Sequence, residues 1–283
     1  MRILLIAILF VLGRAAVNAE TAQEIIDRIQ AQIGQKWRAD TVDTFKAGSP
    51  STPITGIATT FSATLDVLER AASSGCNLVI SHEPTFYNHL DDVKALQDDP
   101  VYRAKIAFIN EHHMVVWRFH DYWHSRQPAP DGIMEGMMAV LGWSNFQDPK
   151  TSYLFTFPET TLGELASHIK SSLSIRTMRV VGDPNMKLTR IAFLPGAAGE
   201  ERQIKALERD DIEALVVGES REWETVEYAR DAVTEKRRKA LIVMGHLPSE
   251  ESGMDYCAKW LRSFIKAVPV LYIPAREPFW SPQ

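Results

Sequence analysis

Three short apolar runs, each ending at a histidine, constrain this 283-residue chain more than any other feature. Asn77 to Ser81 runs into His82, Met114 to Phe119 into His120, and Leu241 to Met244 into Gly245-His246. Each run reads as a strand, and helical stretches separate the runs. Ser62 to Ser74 is a helix with Ser62 as its N-cap and Gly75 closing it. Val101 to His112 is a second helix, Thr161 to Ser172 a third, Trp223 to Asp231 a fourth and Ser249 to Ile265 the last. Further strands are Ile54 to Thr60, Tyr153 to Phe157, Arg179 to Val181, Arg190 to Leu194, Ala214 to Val217 and Val268 to Ile273. Strand–helix alternation of this kind predicts an α/β fold with a largely parallel sheet. In open α/β sheets, ligands collect at the carboxyl ends of the strands. That is where His82, His120 and His246 stand.

Each of these histidines has a chelating neighbour. Glu83 follows His82 directly, and Pro84 stiffens the turn. His124 lies four residues after His120, and Glu250 four after His246, so each pair shares one side of a helical turn. The set is His82, Glu83, His120, His124, His246 and Glu250. Imidazole with carboxylate suits Zn, Fe, Mn, Ni or Co. Six ligands exceed what one tetrahedral zinc needs. They fit two ions about 3.5–4 Å apart, joined by a carboxylate and a hydroxide. His89, His112 and His113 read as solvated, and His168 as a helix-face residue. Trp117, Tyr122 and Trp123 read as core or site wall. Gly196 to Gly199 follows a strand and reads as a tight strand-to-helix turn rather than an anion cradle.

The start of the chain sets the compartment. Met1-Arg2 precedes an apolar run from Ile3 to Leu12, then small residues ending in Val17-Asn18-Ala19. This is the pattern of a secretory signal peptide cleaved after Ala19. The run is shorter than the roughly 20 residues that span a bilayer. An exported, periplasmic or secreted protein is expected, with no membrane segment after cleavage. The formal charge of −5 and the lack of a Lys/Arg block leave no footprint for nucleic acid. Two cysteines, Cys76 and Cys257, cannot build a disulfide framework or a thiolate zinc finger, and the sequence leaves their pairing open.

At these residues the chain resembles the NIF-three-like dinuclear metal-centre proteins, often described as GTP cyclohydrolase type-two homologues. The matches are Gly56 to Thr60, the helix carrying Leu65, Val67 and Leu68, and the stretch from Ala72 to Ser81-His82-Glu83-Pro84. They continue with His120 and His124, and with Gly245-His246-Leu247-Pro248-Ser249-Glu250, which carries the family's Gly-His-x-x-x-Glu motif. Gly196 to Gly199, Val217-Gly218-Glu219 and Glu277-Pro278-Phe279 match more weakly. Two positions depart: Glu83 stands where the family has a second His, and His124 where it has Asp. The exchanges offset each other, leaving four imidazoles and two carboxylates. The resemblance implies hydrolytic opening of a cyclic amidine or purine-like ring, and a homo-oligomer that is a toroidal hexamer in the family.

The expectation is two interlaced α/β lobes with mixed, largely parallel sheets and helices on their faces. Residues 20–150 form the first lobe and 151–283 complete the metal site from the second. The leading reading is a metal-dependent hydrolase acting through a metal-bridging hydroxide on a small anionic or heterocyclic substrate. Glu219, near another strand end, is the candidate general base, and Asp121 the candidate to orient a ligand imidazole. The competing readings are a non-catalytic metal-binding, delivery or scaffold protein, and a decayed enzyme.

Overall fold

The computed structural model describes residues 19–128 and 130–282. The expected signal peptide lies outside them, apart from its last residue, Ala19. No helix among the described residues is long and apolar enough to cross a membrane.

Among the described residues, ten strands form two five-stranded mixed sheets. The first holds β1 (Phe45–Ala47), β2 (Ile57–Thr60), β3 (Leu78–Ser81), β4 (Val115–Arg118) and β10 (Val270–Tyr272), in the order β1-β4-β3-β2-β10. Its pairs are parallel except for β1 against β4. The second holds β5 (Leu154–Thr161), β6 (Arg179–Val181), β7 (Lys187–Leu194), β8 (Ala214–Val217) and β9 (Ala240–Val243), in the order β5-β7-β8-β9-β6. Its inner pairs are parallel and its two edge strands antiparallel. Strand β10 thus returns from the C-terminal end of the chain to pair with β2.

Helices cover both faces of both sheets. Helices α2 (Leu65–Ser73) and α3 (Pro100–Glu111) pack on the outer face of the first sheet, through Val67, Leu68, Ala71 and Ile109. Helices α7 (Glu200–Glu208) and α8 (Glu227–Thr234) pack on the outer face of the second, through Ala206, Leu207 and Ala229. The inner faces share one large core with α1 (Ala22–Gln32), α5 (Gly132–Leu141), α6 (Leu162–Ser172) and α9 (His246–Phe264). Strands β2, β3, β4, β8 and β9 are buried along their whole length. Cover on both faces is why these parallel strands are written as continuous apolar runs.

Several local expectations need correction. Thr64, not Ser62, caps α2, because its side chain accepts the Val67 N–H. Helix α9 starts at His246 rather than Ser249, since Pro248 sits within the first turn, where its missing N–H has no helical partner to lose. Helix α5 and strand β1 carry no clear sequence signal. Cys76 and Cys257 are free and buried in different parts of the core.

Candidate metal centre

The six predicted ligands meet where the carboxyl ends of β3, β4 and β9 converge. His82 leaves β3 fully buried, its N–H bonded to the Thr60 carbonyl and that of Glu83 to the Phe61 carbonyl. His120 leaves β4 and precedes the short helix α4 (Asp121–Ser125), which lifts His124 one turn onward. The buried Asp43 carboxylate fixes that turn by accepting the N–H groups of His120, Asp121 and Tyr122. His246 opens α9, and Glu250 follows one turn later, 3.1 Å from His246 Nε2.

His82, His120 and His124 offer ring nitrogens within 4.8 Å of one another, and His82, Glu83 and Glu250 make a second such set. His246 joins them with its Nε2 3.5 Å from Glu83 Oε1, while Glu83 also lies 3.6 Å from His120 Nε2. Glu250 Oε2 is 3.4 Å from His82 Nε2.

Each imidazole is oriented through its Nδ1. His82 Nδ1 faces the Phe119 carbonyl at 3.1 Å, His120 Nδ1 the Asp121 carboxylate at 3.0 Å, and His124 Nδ1 the Asp131 carboxylate at 2.8 Å. His246 Nδ1 faces Glu219 at 2.9 Å. A carbonyl can only accept, so His82 carries a proton on Nδ1, which leaves Nε2 to face the centre. That Nε2 is buried and has no hydrogen-bond partner. Oxygen partners on the far nitrogen are the arrangement that fixes metal-ligating imidazoles. The donor set, with one orphaned buried nitrogen at its middle, fits divalent transition-metal ions.

The charges of the metal-free centre are strongly coupled. Burial would lower His246, but Glu219, Glu250 and Glu83 outweigh it and push it up to about 12. Burial would raise Glu83, but His246, His82 and His120 hold it down at about 2. Burial would likewise raise Glu250, and the imidazoles of His246 and His82 carry it well below the usual carboxylate range. Burial lowers His120, and the neighbouring His82 and His124 lower it further, to about 4. His124 moves the other way: burial opposes its charge, but the bond to Asp131 raises it.

Several participants escape a reading of the sequence. Asp43 and Asp131 sit far from their partners along the chain, though Asp131 before Gly132 is a recognisable helix cap. Arg118, fully buried, donates to the His82 and His89 carbonyls and lies 3.6 Å from Glu83 Oε2. His89 is exposed, as expected of a solvated residue, yet it lines the site. Two cavities flank the centre and share Glu83, His89 and His246. One, of about 510 Å³, is bordered by His120, His124, Glu250 and the Pro195 to Ala198 turn. The other, of about 1360 Å³, opens beside Glu219.

Residues 21–278 match the family model described as Duf34/NIF3 (NGG1p interacting factor 3). A Clostridium acetobutylicum protein named GTP cyclohydrolase 1 type 2 homolog is 24% identical over 225 residues, covering 76% of this chain and 79% of that protein. A Clostridium perfringens protein of the same name is 23% identical over 154 residues, 51% of this chain and 56% of that one. Among solved structures, a Staphylococcus aureus hypothetical protein superposes with a TM-score of 0.72 at 19% identity, over 93% of this chain and all of that one. A Bacillus cereus protein related to NIF3 gives 0.71 at 16% identity, over 92% and 98%.

Proposed function

Since the chain belongs to the Duf34/NIF3 family, we propose that it is a dinuclear metal-dependent hydrolase acting on a small anionic or heterocyclic substrate. His82, Glu83, His120, His124, His246 and Glu250 hold two divalent ions of Zn, Fe, Mn, Co or Ni. The observation that carries this reading is the buried, unpartnered Nε2 of His82, which belongs to both candidate ligand sets. When bound, the ions supply Lewis acidity, polarising a substrate oxygen and acidifying water.

The protein's own groups do the rest. Asp121, Asp131, Glu219 and the Phe119 carbonyl hold the four imidazoles in register through their Nδ1 atoms. Glu219 also stands on the cavity wall with a side chain 58% exposed. One of its oxygens bonds His246, and the other receives the proton released as water attacks. The relatives' name points to ring-opening hydrolysis of a purine-like heterocycle. Export after cleavage behind Ala19 and assembly into a homo-oligomer complete the proposal.

The test is metal content per chain, by elemental mass spectrometry, with His246→Ala in parallel. About two ions per chain are expected, halved or lost in the variant. Glu219→Gln, whose amide oxygen still accepts from His246 Nδ1, should lower turnover of a cyclic amidine panel about 10²–10⁴-fold at metal concentrations that saturate the site. Protein that takes up none of the five metals would overturn the proposal.

A further inference from the structure

The larger cavity has features that the metal centre does not require. Its wall is mostly apolar and comes from the start of α2, the loop after β3, helix α3, the head of α9 and the C-terminal segment, with Thr177 and Glu219 beside them. Leu65, Tyr87, Val101 and Phe279 all line it, and all are among the most exposed large apolar side chains of the described residues. Exposed apolar surface gathered around one concavity marks a binding site more often than chance.

Two backbone positions on this wall point the same way. Tyr87 and Arg276 each have φ of 64°, the left-handed region that side-chain-bearing residues enter only where their surroundings impose it. Lys105 holds the first from beneath, its ammonium 5.2 Å from the Tyr87 ring centroid and bonded to the Thr85 carbonyl. The carboxylate of Glu251 holds the second through the Ala275 and Arg276 N–H groups.

The charges of the wall are unevenly matched. Asp66 is paired with Arg70, Glu277 with Arg176 and Thr177, Glu219 with His246, and Glu83 with the imidazoles. The exposed Arg276 guanidinium makes no ion pair among the described residues, whereas the Lys105 ammonium is buried and bonded to the Thr85 carbonyl. What the wall leaves unanswered is therefore positive charge beside apolar surface.

We propose that this cavity is the subsite for the body of an amphiphilic substrate: an aromatic or aliphatic group bearing a carboxylate, phosphate or sulfonate. The apolar body lies against Phe61, Leu65, Val101 and Phe279, and Arg276 meets the anion. The hydrolysable end reaches Glu83, His246 and Glu219, which border the same cavity. This rests on the hydrolase reading and narrows its substrate class.

The test uses two dyes with the same aromatic body on the full chain: anionic 1-anilinonaphthalene-8-sulfonate and neutral N-phenyl-1-naphthylamine. Fluorescence titration should saturate at one dye per chain. Val101→Glu should weaken both dyes about tenfold or more, since a carboxylate would be desolvated against an apolar body. Arg276→Gln should weaken only the anionic dye, by about five- to tenfold. Metal content should not change in either variant. Dye binding equal in wild type and Val101→Glu would overturn the proposal. So would dye excluded from a self-associated wild type and admitted by a dissociated Val101→Glu, because the face would then join copies of the chain. Localised dye binding by protein that takes up no metal would sink the hydrolase reading alone and leave the pocket standing.

Discussion

Gly196 shows how tightly single residues are constrained around the centre. It sits at φ of 65°, and a β-carbon there would stand 2.1 Å from Glu250 Oε1. Its N–H also donates to Ser249 Oγ. The loop after β7 therefore presses bare backbone against the Glu250 carboxylate, a proposed ligand. Gly196→Ala should displace Glu250 and lower metal affinity about 10–100-fold, with a stability loss of about 1–3 kcal/mol. Competition with a chromogenic chelator measures the first and thermal melting the second; unchanged affinity would mean that Glu250 is placed by α9 alone. The sequence displays the small-residue turn but not the carboxylate lying on it, because the two are 54 positions apart. The same applies to Asp43 beneath His120. Legible residues at this site are those whose partner is one helical turn away, as with His246 and Glu250.

Among the elements, the crossing of α5 and α9 matters most to the site. A β-carbon on Gly136 would lie 2.4 Å from the Ser252 carbonyl oxygen, and one on Gly253 2.5 Å from Ile133 Cα. The two helices touch backbone to backbone. Helix α9 carries His246 and Glu250, and Asp131 at the head of α5 orients His124. Gly253→Ala should cost about 1–3 kcal/mol by overpacking, and should also weaken metal binding, because both ligand-bearing segments move. A melting midpoint equal to wild type would show that the helices can separate without strain. The buried strands are legible because cover on both faces leaves them mostly apolar, with polar residues such as Thr60, Ser81 and Arg118 at their carboxyl ends. Helix α5 is not, because its run of Ile, Met, Val and Leu stays apolar even where Ala139 and Val140 meet solvent, so it has no polar face to give it a period. Strand β1, three residues on an edge, is too short to show any.

At the scale of the whole molecule, one centre is completed by two sheets. His82, Glu83, His120 and His124 follow strands of the first sheet, while His246 and Glu250 follow β9 of the second. Metal binding therefore couples to the docking of the two layers, and protons compete for the same atoms. In the metal-free protein the His246 imidazolium sits among Glu83, Glu219 and Glu250. Its raised pKa contributes stability that is complete below about 6.5 and is lost only as pH climbs toward about 12. Glu83, held at about 2, contributes stability present above its ordinary value near 4.5 and lost as pH falls toward 2. His120, lowered to about 4, withdraws stability as pH falls from about 6.5 toward 4, because the unfolded chain takes up the proton first. The metal-free fold should thus weaken steadily below pH 6.5. A metal ion must displace the His246 Nε2 proton, so its affinity should rise with pH. At free metal about 100-fold above Kd, binding stabilises the fold by about 2.7 kcal/mol, which raises the melting midpoint by roughly 5 °C. With metal held at one fixed concentration, that rise should be larger at pH 8 than at pH 5.5, should reverse with a chelator, and should be accompanied by proton release to a weakly buffered indicator. A shift of equal size at both pH values, without proton release, would mean that the ion does not take the place of the imidazolium proton and that His246 is not its ligand.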